Sequence, residues 1–158
     1  MIIVSDSSPL IAFAMADRFK VLQTLCKEIA IPREVYREVV VTGKGRPGAS
    51  EVAAADWIEQ KEVVNKTAVQ DLQVRYKIDS GEAEAIILAK ELNADLLLAD
   101  QRKVREIAGA LDLEVTGTIG LFVRAYEKGL IENLKTILDS LRERGFRYPD
   151  ELYDAVLK

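Results

Sequence analysis

The feature that most constrains the fold of this chain is the alternation of short apolar runs with longer segments of helical periodicity. Residues 2–5 and 95–99 are rich in Ile, Val and Leu, and are short enough to be buried strands. Helical segments follow the apolar runs, and the clearest of them covers residues 81–92, with Ser80 as its predicted N-cap. This alternation predicts an α/β fold, with three layers (α/β/α) around a central, mostly parallel sheet.

The length of the chain, 158 residues, suits one domain with one core. Neither an internal repeat nor a low-complexity tract interrupts it, and the loosest segment is the glycine-rich stretch 42–48. We therefore expect a single domain over residues 1–158, in which the helices of residues 130–158 form a C-terminal extension.

Composition narrows the possible chemistry. The chain has no histidine, which excludes a His general base, a Ser-His-Asp triad and the usual His-containing zinc sites. Cys26 is the single cysteine, so an intramolecular disulfide is impossible and a reducing compartment is the default. The N-terminus has no signal-peptide pattern and no apolar run is long enough to span a bilayer, so we expect a cytoplasmic protein.

Two acidic residues follow predicted strands directly. Asp6 comes after the first apolar run and Asp100 after the run at 95–99, and each precedes a helical segment. Ligands of open parallel sheets bind at the carboxyl ends of the strands, so these carboxylates are expected to point into a shared crevice. Each of them is also a favoured N-cap for the helix that follows, and the sequence leaves that second interpretation open.

Further acids lie on two predicted helices. Glu82 and Glu84 fall in the first turn of the helix at 81–92, and because positions two apart do not share a helix face, one of them is expected to face the crevice. Glu38 lies on a helix opened by Pro32, and Glu34, one turn earlier, is an alternative to it. Stabilisation of the helix dipole, or simple exposure to solvent, would also account for these acids.

Clustered carboxylates repel one another, and burial raises their pKa values further. A hard divalent cation such as Mg²⁺ or Mn²⁺ relieves that repulsion and prefers oxygen ligands. Such a cation can activate water against a phosphodiester and stabilise the leaving oxygen. Metal-assisted hydrolysis is therefore the chemistry that this residue inventory most readily allows.

Several segments resemble the motifs of PIN domains. MIIVSDSSPLIAF is similar to the first motif of the family, IPREVYREV to the second, and GEAEAIILAKELNADLLLADQRKVREIA to the segment that carries the third and fourth acidic positions. The resemblance extends from residue 1 to about residue 125, and the later Val-Thr-Gly-Thr-Ile-Gly segment is similar to an uncharacterised branch of PIN-like proteins of archaea and bacteria.

The resemblance implies a set of functional residues. The metal ligands and catalytic residues would be Asp6, Glu38, Glu82 and Asp100, and Ser8 would support the first aspartate. The third position is usually Asp in the family, whereas this chain has Glu82, with Glu84 close behind. The resemblance also implies metal-dependent RNA cleavage, often by the toxin of a toxin–antitoxin pair and often by a homodimer.

Residues near Asp100 suggest contacts with substrate. Arg102 and Lys103 follow it and would flank an acidic cleft, where they could hold the RNA backbone, although a solvated helix face explains them equally. Thr116 and Thr118 could position a phosphate, or one of them could simply cap the next helix.

Two other functions fit the same pattern. One is a catalytically weak binding or regulatory module with a PIN-like fold, and the other is a phosphatase-like α/β enzyme. The second lacks support, because Asp6 has no second Asp two residues on and no phosphate-binding glycine-rich loop is present.

Overall fold

The computed structural model describes residues 1–157, and over these residues five parallel strands form one sheet. The strands at Ile3–Ser5 and Ile29–Pro32 are buried between two layers of helices, as the sequence pattern predicts, whereas the edge strand at Ile58–Lys61 is partly exposed. The strands are β1 (Ile3–Ser5), β2 (Ile29–Pro32), β3 (Ile58–Lys61), β4 (Leu96–Leu98) and β5 (Val115–Thr116).

Helices connect the strands and extend beyond the last of them. They are α1 (Ser7–Met15), α2 (Phe19–Cys26), α3 (Arg33–Tyr36), α4 (Ala49–Ala54), α5 (Lys66–Tyr76), α6 (Ser80–Glu91), α7 (Arg102–Ala110), α8 (Thr118–Glu127), α9 (Leu134–Glu143) and α10 (Asp150–Val156). A π-helix, Arg37–Thr42, continues directly from α3. In the described part of the chain, no helix is long and apolar enough to cross a membrane.

The strand order β3-β2-β1-β4-β5 confirms the predicted α/β/α fold, with every pairing parallel. The chain builds outwards from β1 to β3 on one side and then continues at β4 on the other side of β1. The direction of winding therefore changes between β1 and β4, where Ser5 pairs with Leu98. Crevices for ligands form at such a change, beyond the carboxyl ends of the two strands.

Alternate strand residues supply the cores on the two faces of the sheet. Ile3 and Leu98 contribute to a cluster with α1, α2, α8 and α9, whereas Val4 and Leu97 contribute to a cluster with α5, α6 and α7. The rings of Phe13 and Phe122 stack in the first cluster with centroids 4.0 Å apart.

The last helix packs against the first of these clusters. Tyr153, Val156 and Leu157 are partly buried against it, and the Tyr153 hydroxyl donates a hydrogen bond to Asp139 at 2.8 Å. The apolar face of α10 therefore finds its partner within the same chain.

Candidate active site

A cavity of about 340 Å³ lies at the carboxyl ends of β1 and β4. Its walls come from the loops after these strands, the start of α6, the π-helix and the segment between α9 and α10. Five of its ten lining residues are acidic, which makes it the place where the candidate residues meet. The lining residues are Asp6, Ser7, Ser8, Glu38, Asp79, Glu82, Asp100, Gln101, Arg102 and Arg147.

Asp6 is the most deeply placed of these acids, with only 5% of its surface exposed. It follows β1 directly, and its backbone N–H donates to the carbonyl of Leu98 at 2.9 Å, which holds it at the end of β4 as well. Its side chain accepts from the N–H of Ser7 at 2.8 Å and is the N-cap of α1. Capping and facing the cavity, which the sequence presents as alternatives, are thus properties of the same carboxylate.

Burial changes the ionisation of two of the acids. Loss of hydration, with smaller contributions from the neighbouring carboxylates of Glu82, Asp79 and Glu38 and against the opposing hydrogen bond from Ser7, raises the pKa of Asp6 to about 7. The pKa of Glu82 is also raised, mainly by burial, and to a smaller extent by the charges of Asp79 and Glu38. The cavity is therefore a place where negative charge accumulates without full compensation.

Glu38 reaches the cavity from the π-helix. Its Oε2 accepts from the hydroxyl of Ser7 at 2.8 Å, so the second acidic segment is tied to the loop after β1. Glu34 faces elsewhere and lies 3.8 Å from the guanidinium of Arg37. Ser8, predicted to support Asp6, lines the cavity, but the hydrogen bonds come from Ser7, because Ser7 is the first residue of α1 and its N–H meets the capping carboxylate.

The helix α6 brings one of its two first-turn glutamates to the cavity. Glu82 lines it, whereas Glu84 turns to α3 and accepts from the N–H of Glu34 at 3.1 Å. The predicted cap Ser80 is wrong by one position, because Asp79 is the N-cap and forms a capping box with Glu82. The two bonds of this box are 2.8 and 3.0 Å long and hold the Glu82 side chain beside Asp79.

Asp100 is held by the start of α8. Its Oδ1 accepts from the N–H of Thr118 at 2.7 Å, and its Oδ2 accepts from the Thr118 hydroxyl at 2.6 Å. A β-carbon on Gly117 would lie 2.8 Å from Oδ1, so only glycine fits beside this carboxylate without a shift. Thr118 thus positions an acid, whereas Thr116 lines a neighbouring cavity instead of this one.

Basic residues border the acidic cavity on one side. Arg102 lines it and pairs with Glu106 at 3.1 Å, but Lys103 is exposed and outside the set of lining residues. Four lining residues were missed by sequence reasoning: Ser7, Asp79, Gln101 and Arg147. Asp79 precedes a Ser and could have been identified as a cap, but Arg147 lies far along the chain with no motif around it.

The donor set fits a hard divalent cation, because all five acids supply oxygen atoms. The raised pKa values of Asp6 and Glu82 come mainly from burial and in smaller part from repulsion by neighbouring carboxylates, and a cation would relieve that repulsion. Among residues 1–157, however, no group of three or more His, Cys, Asp or Glu side chains is close enough together to hold a metal ion. Each acid instead has its own hydrogen-bonding partner. Mg²⁺ keeps several of its waters in proteins, so ligands across a cavity of this size can act through water.

Comparison with known proteins identifies the fold independently. A family model described as a PIN domain matches residues 2–158. A search of curated proteins finds no match to the chain.

Proposed function

The chain belongs to the PIN-domain family, and from this premise we propose that it is a metal-dependent endoribonuclease that hydrolyses the phosphodiester bonds of RNA. PIN domains are generally nucleases, which makes a hydrolase the expected class of enzyme. The observation that carries the proposal is the convergence of Asp6, Glu38, Glu82 and Asp100 on one cavity at the change of strand order.

In this proposal the four acids are the ligands of Mg²⁺ or Mn²⁺, and Asp6 and Asp100 are its central pair. The bound cation would supply activated water and neutralise charge on the leaving oxygen. Glu38 and Glu82 would exchange their present hydrogen bonds, to Ser7 and Asp79, for the cation or its waters. Thr118 keeps the Asp100 carboxylate oriented, which is the usual role of residues that contact metal ligands.

We propose that the protein acts in the cytoplasm, as the toxin of a toxin–antitoxin pair, with an antitoxin protein as partner, and that it forms a homodimer. The apolar face of α10 does not argue for the dimer, because it packs within the chain. Light scattering at micromolar concentration should report twice the monomer mass, and a monomer would contradict the dimer.

A catalytically weak PIN-like binding or regulatory module is the second candidate. The observation that favours it is that, within the described residues, the acids are not gathered closely enough to coordinate one ion directly. Such a module would bind RNA, or another partner, without cleaving it.

Cleavage of a long single-stranded RNA separates these two functions. We expect cleavage with Mn²⁺ or Mg²⁺, abolition by EDTA, and loss of activity by more than roughly 100-fold in Asp6→Asn, because an amide is a weaker ligand of similar shape. Asp71→Asn, an exposed change on α5, makes the same substitution away from the cavity and should leave the rate unchanged. Full activity in Asp6→Asn would exclude Asp6 as a ligand, and a wild type that binds RNA without cleaving it would establish the module.

A further inference from the structure

A second and larger cavity, of about 710 Å³, adjoins the acidic one. The two share Asp100, Arg102 and Arg147, so they meet beside the carboxylate that Thr118 holds. The second cavity lies between α7, the start of α8 and the segment that leads into α10. The segment that leads into α10 belongs to none of the sequence motifs.

The polar side of this second cavity is basic. Its charged lining residues carry three guanidinium groups and two carboxylates. The guanidinium groups are those of Arg102, Arg105 and Arg147, and the carboxylates are those of Asp100 and Glu106. Arg102 pairs with Glu106, but among residues 1–157 neither Arg105 nor Arg147 forms an ion pair. In a chain of formal charge −4, these cations are a local exception, and exposed guanidinium groups are well suited to bind phosphate.

Another part of the cavity wall is apolar and partly aromatic. Phe146 and Tyr148 lie there with ring centroids 6.5 Å apart, next to Leu152, which is 37% exposed. The Tyr148 hydroxyl donates to the carbonyl of Leu138 at 2.6 Å, and the guanidinium of Arg142 lies 4.4 Å from the Tyr148 ring centroid. These contacts hold the Tyr148 ring in place.

We propose that the second cavity binds a nucleotide of single-stranded RNA that adjoins the phosphodiester held in the acidic cavity. Arg105 and Arg147 would contact its phosphates, and the Phe146–Leu152 wall would contact its base. Ligand pockets of roughly 300–1,000 Å³ suit molecules of this size. An unpaired base is required, because only a splayed base exposes its face to aromatic side chains.

The inference rests on the proposed ribonuclease function, because it names how the same site would hold its substrate. It assigns Arg105, Arg147 and the Phe146–Leu152 wall of the second cavity, but not the proposed metal ligand Asp100, to substrate binding and not to chemistry. Substitutions there should raise KM while leaving kcat within about twofold, since they remove binding that is equal in ground and transition states.

The test measures binding separately from cleavage. A fluorescently labelled single-stranded RNA of about 12 nucleotides is titrated with protein in EDTA, and fluorescence anisotropy reports the affinity. Arg105→Gln removes a cation that lines only the second cavity, and Leu152→Glu adds a negative charge to its apolar wall. Arg75→Gln and Val74→Glu make the same changes at exposed positions of α5 and are the matched controls. Thermal denaturation verifies that all four variants fold.

We expect Arg105→Gln and Leu152→Glu each to weaken binding roughly three- to tenfold, with both controls within twofold of the wild type. Loss of one phosphate contact should also reduce the slope of log affinity against log salt by about 0.7 for Arg105→Gln. Cleavage assays with Mn²⁺ should show the change in KM.

The outcomes separate the two proposals. If the wild type binds RNA in a manner that depends on Arg105 but does not cleave it, the nucleotide site stands and the ribonuclease proposal fails. If the wild type cleaves RNA while both variants match their controls, the nucleotide site is wrong. If the wild type neither binds RNA in EDTA nor cleaves it with Mn²⁺, both proposals are wrong.

Discussion

When no cation is bound, the surroundings of Asp6 oppose the ionisation of its carboxyl group. Its position at the end of β1 buries it, and its neighbours at the cavity are other carboxylates, so its ionised form is destabilised in the folded protein. The raised pKa, about 7 instead of 3.8, means that the folded state binds a proton more tightly than the unfolded chain does. This side chain therefore contributes most stability when it is protonated.

The sign of this effect predicts a pH-dependent difference between the wild type and Asp6→Asn. Stability from protonated Asp6 is complete below pH 3.8 and is lost progressively up to about pH 7. The neutral amide keeps the N-cap and does not ionise. The free energy of unfolding of the variant should therefore rise relative to that of the metal-free wild type as pH increases through this range, by at most about 4 kcal/mol. Urea denaturation in EDTA at pH 4 and pH 8 measures this difference in the free energy of unfolding. The same difference at both pH values would contradict the raised pKa.

Gly117 provides a second prediction at the level of a single residue. A β-carbon there would lie 2.8 Å from Oδ1 of Asp100, so Gly117→Ala must displace this carboxylate or disturb its hydrogen bonds to Thr118. We expect affinity for Mn²⁺, measured by titration calorimetry, to fall by about tenfold or more.

Gly109 is the matched control for this change. It lies within α7, and a β-carbon at Gly109 would meet no atom within 4 Å. Gly109→Ala should stabilise the protein by up to about 1 kcal/mol, because alanine is the better helix former, and leave Mn²⁺ affinity unchanged. Equal affinities in the two alanine variants would show that Asp100 does not bind the metal.

Among the helices, α6 shows most clearly where sequence reasoning reaches its limit. A helix over residues 81–92 was predicted, and the structure has it at Ser80–Glu91. The cap was misplaced because Asp79 and Ser80 are both favoured N-caps, and the pattern does not decide between neighbours. This shift of one position concealed Asp79, which both begins the helix and lines the cavity.

The capping role of Asp79 can be separated from its charge. Asp79→Ser preserves a capping side chain, whereas Asp79→Ala removes it and should cost about 1 kcal/mol in the free energy of unfolding. Both changes remove a negative charge near Asp6, so both should lower the pKa of its carboxyl group. Urea denaturation and NMR titration measure these two effects, and equal stability of the two variants would exclude the capping role.

The π-helix could not be predicted from the sequence. Pro32 correctly predicts a helix, but residues 37–42 show no pattern that distinguishes i+5 from i+4 hydrogen bonding. The acids at strand ends were easier to predict, because β1 and β4 are short apolar runs that end just before Asp6 and Asp100. The positions of residues that depend on a local sequence pattern could therefore be predicted, and those that depend on tertiary packing could not.

For the molecule as a whole, the same distinction between local pattern and tertiary packing explains why Arg147 was not predicted to line the cavity. Alternating strands and helices predict the parallel sheet and its crevice, since those depend on order along the chain. Arg147 reaches the crevice only because Phe146 and Tyr148 pack on the cluster that also holds α9, at the far end of the sequence. Contacts of this kind depend on tertiary packing, which no local pattern encodes.

Metal binding should also be visible in the stability of the whole protein. A cation that binds only the folded state stabilises it in proportion to the logarithm of its concentration, by about 2.7 kcal/mol at 100 times Kd. For a chain of this length, that corresponds to an increase in Tm of roughly 5–10 °C. The increase should be larger at pH 8 than at pH 6, because Asp6, with its pKa near 7, must lose its proton to bind the cation.

Calorimetric scans with Mn²⁺ or EDTA measure this increase without any RNA. Asp6→Asn should begin from a higher Tm in EDTA and show little further increase with Mn²⁺, whereas Asp71→Asn should behave as the wild type does. A structural role of Asp6 alone predicts no dependence on metal in either variant. If Mn²⁺ left the wild-type Tm unchanged at both pH values, the acidic cavity would not be a metal centre, and the binding module would explain the fold better than the nuclease does.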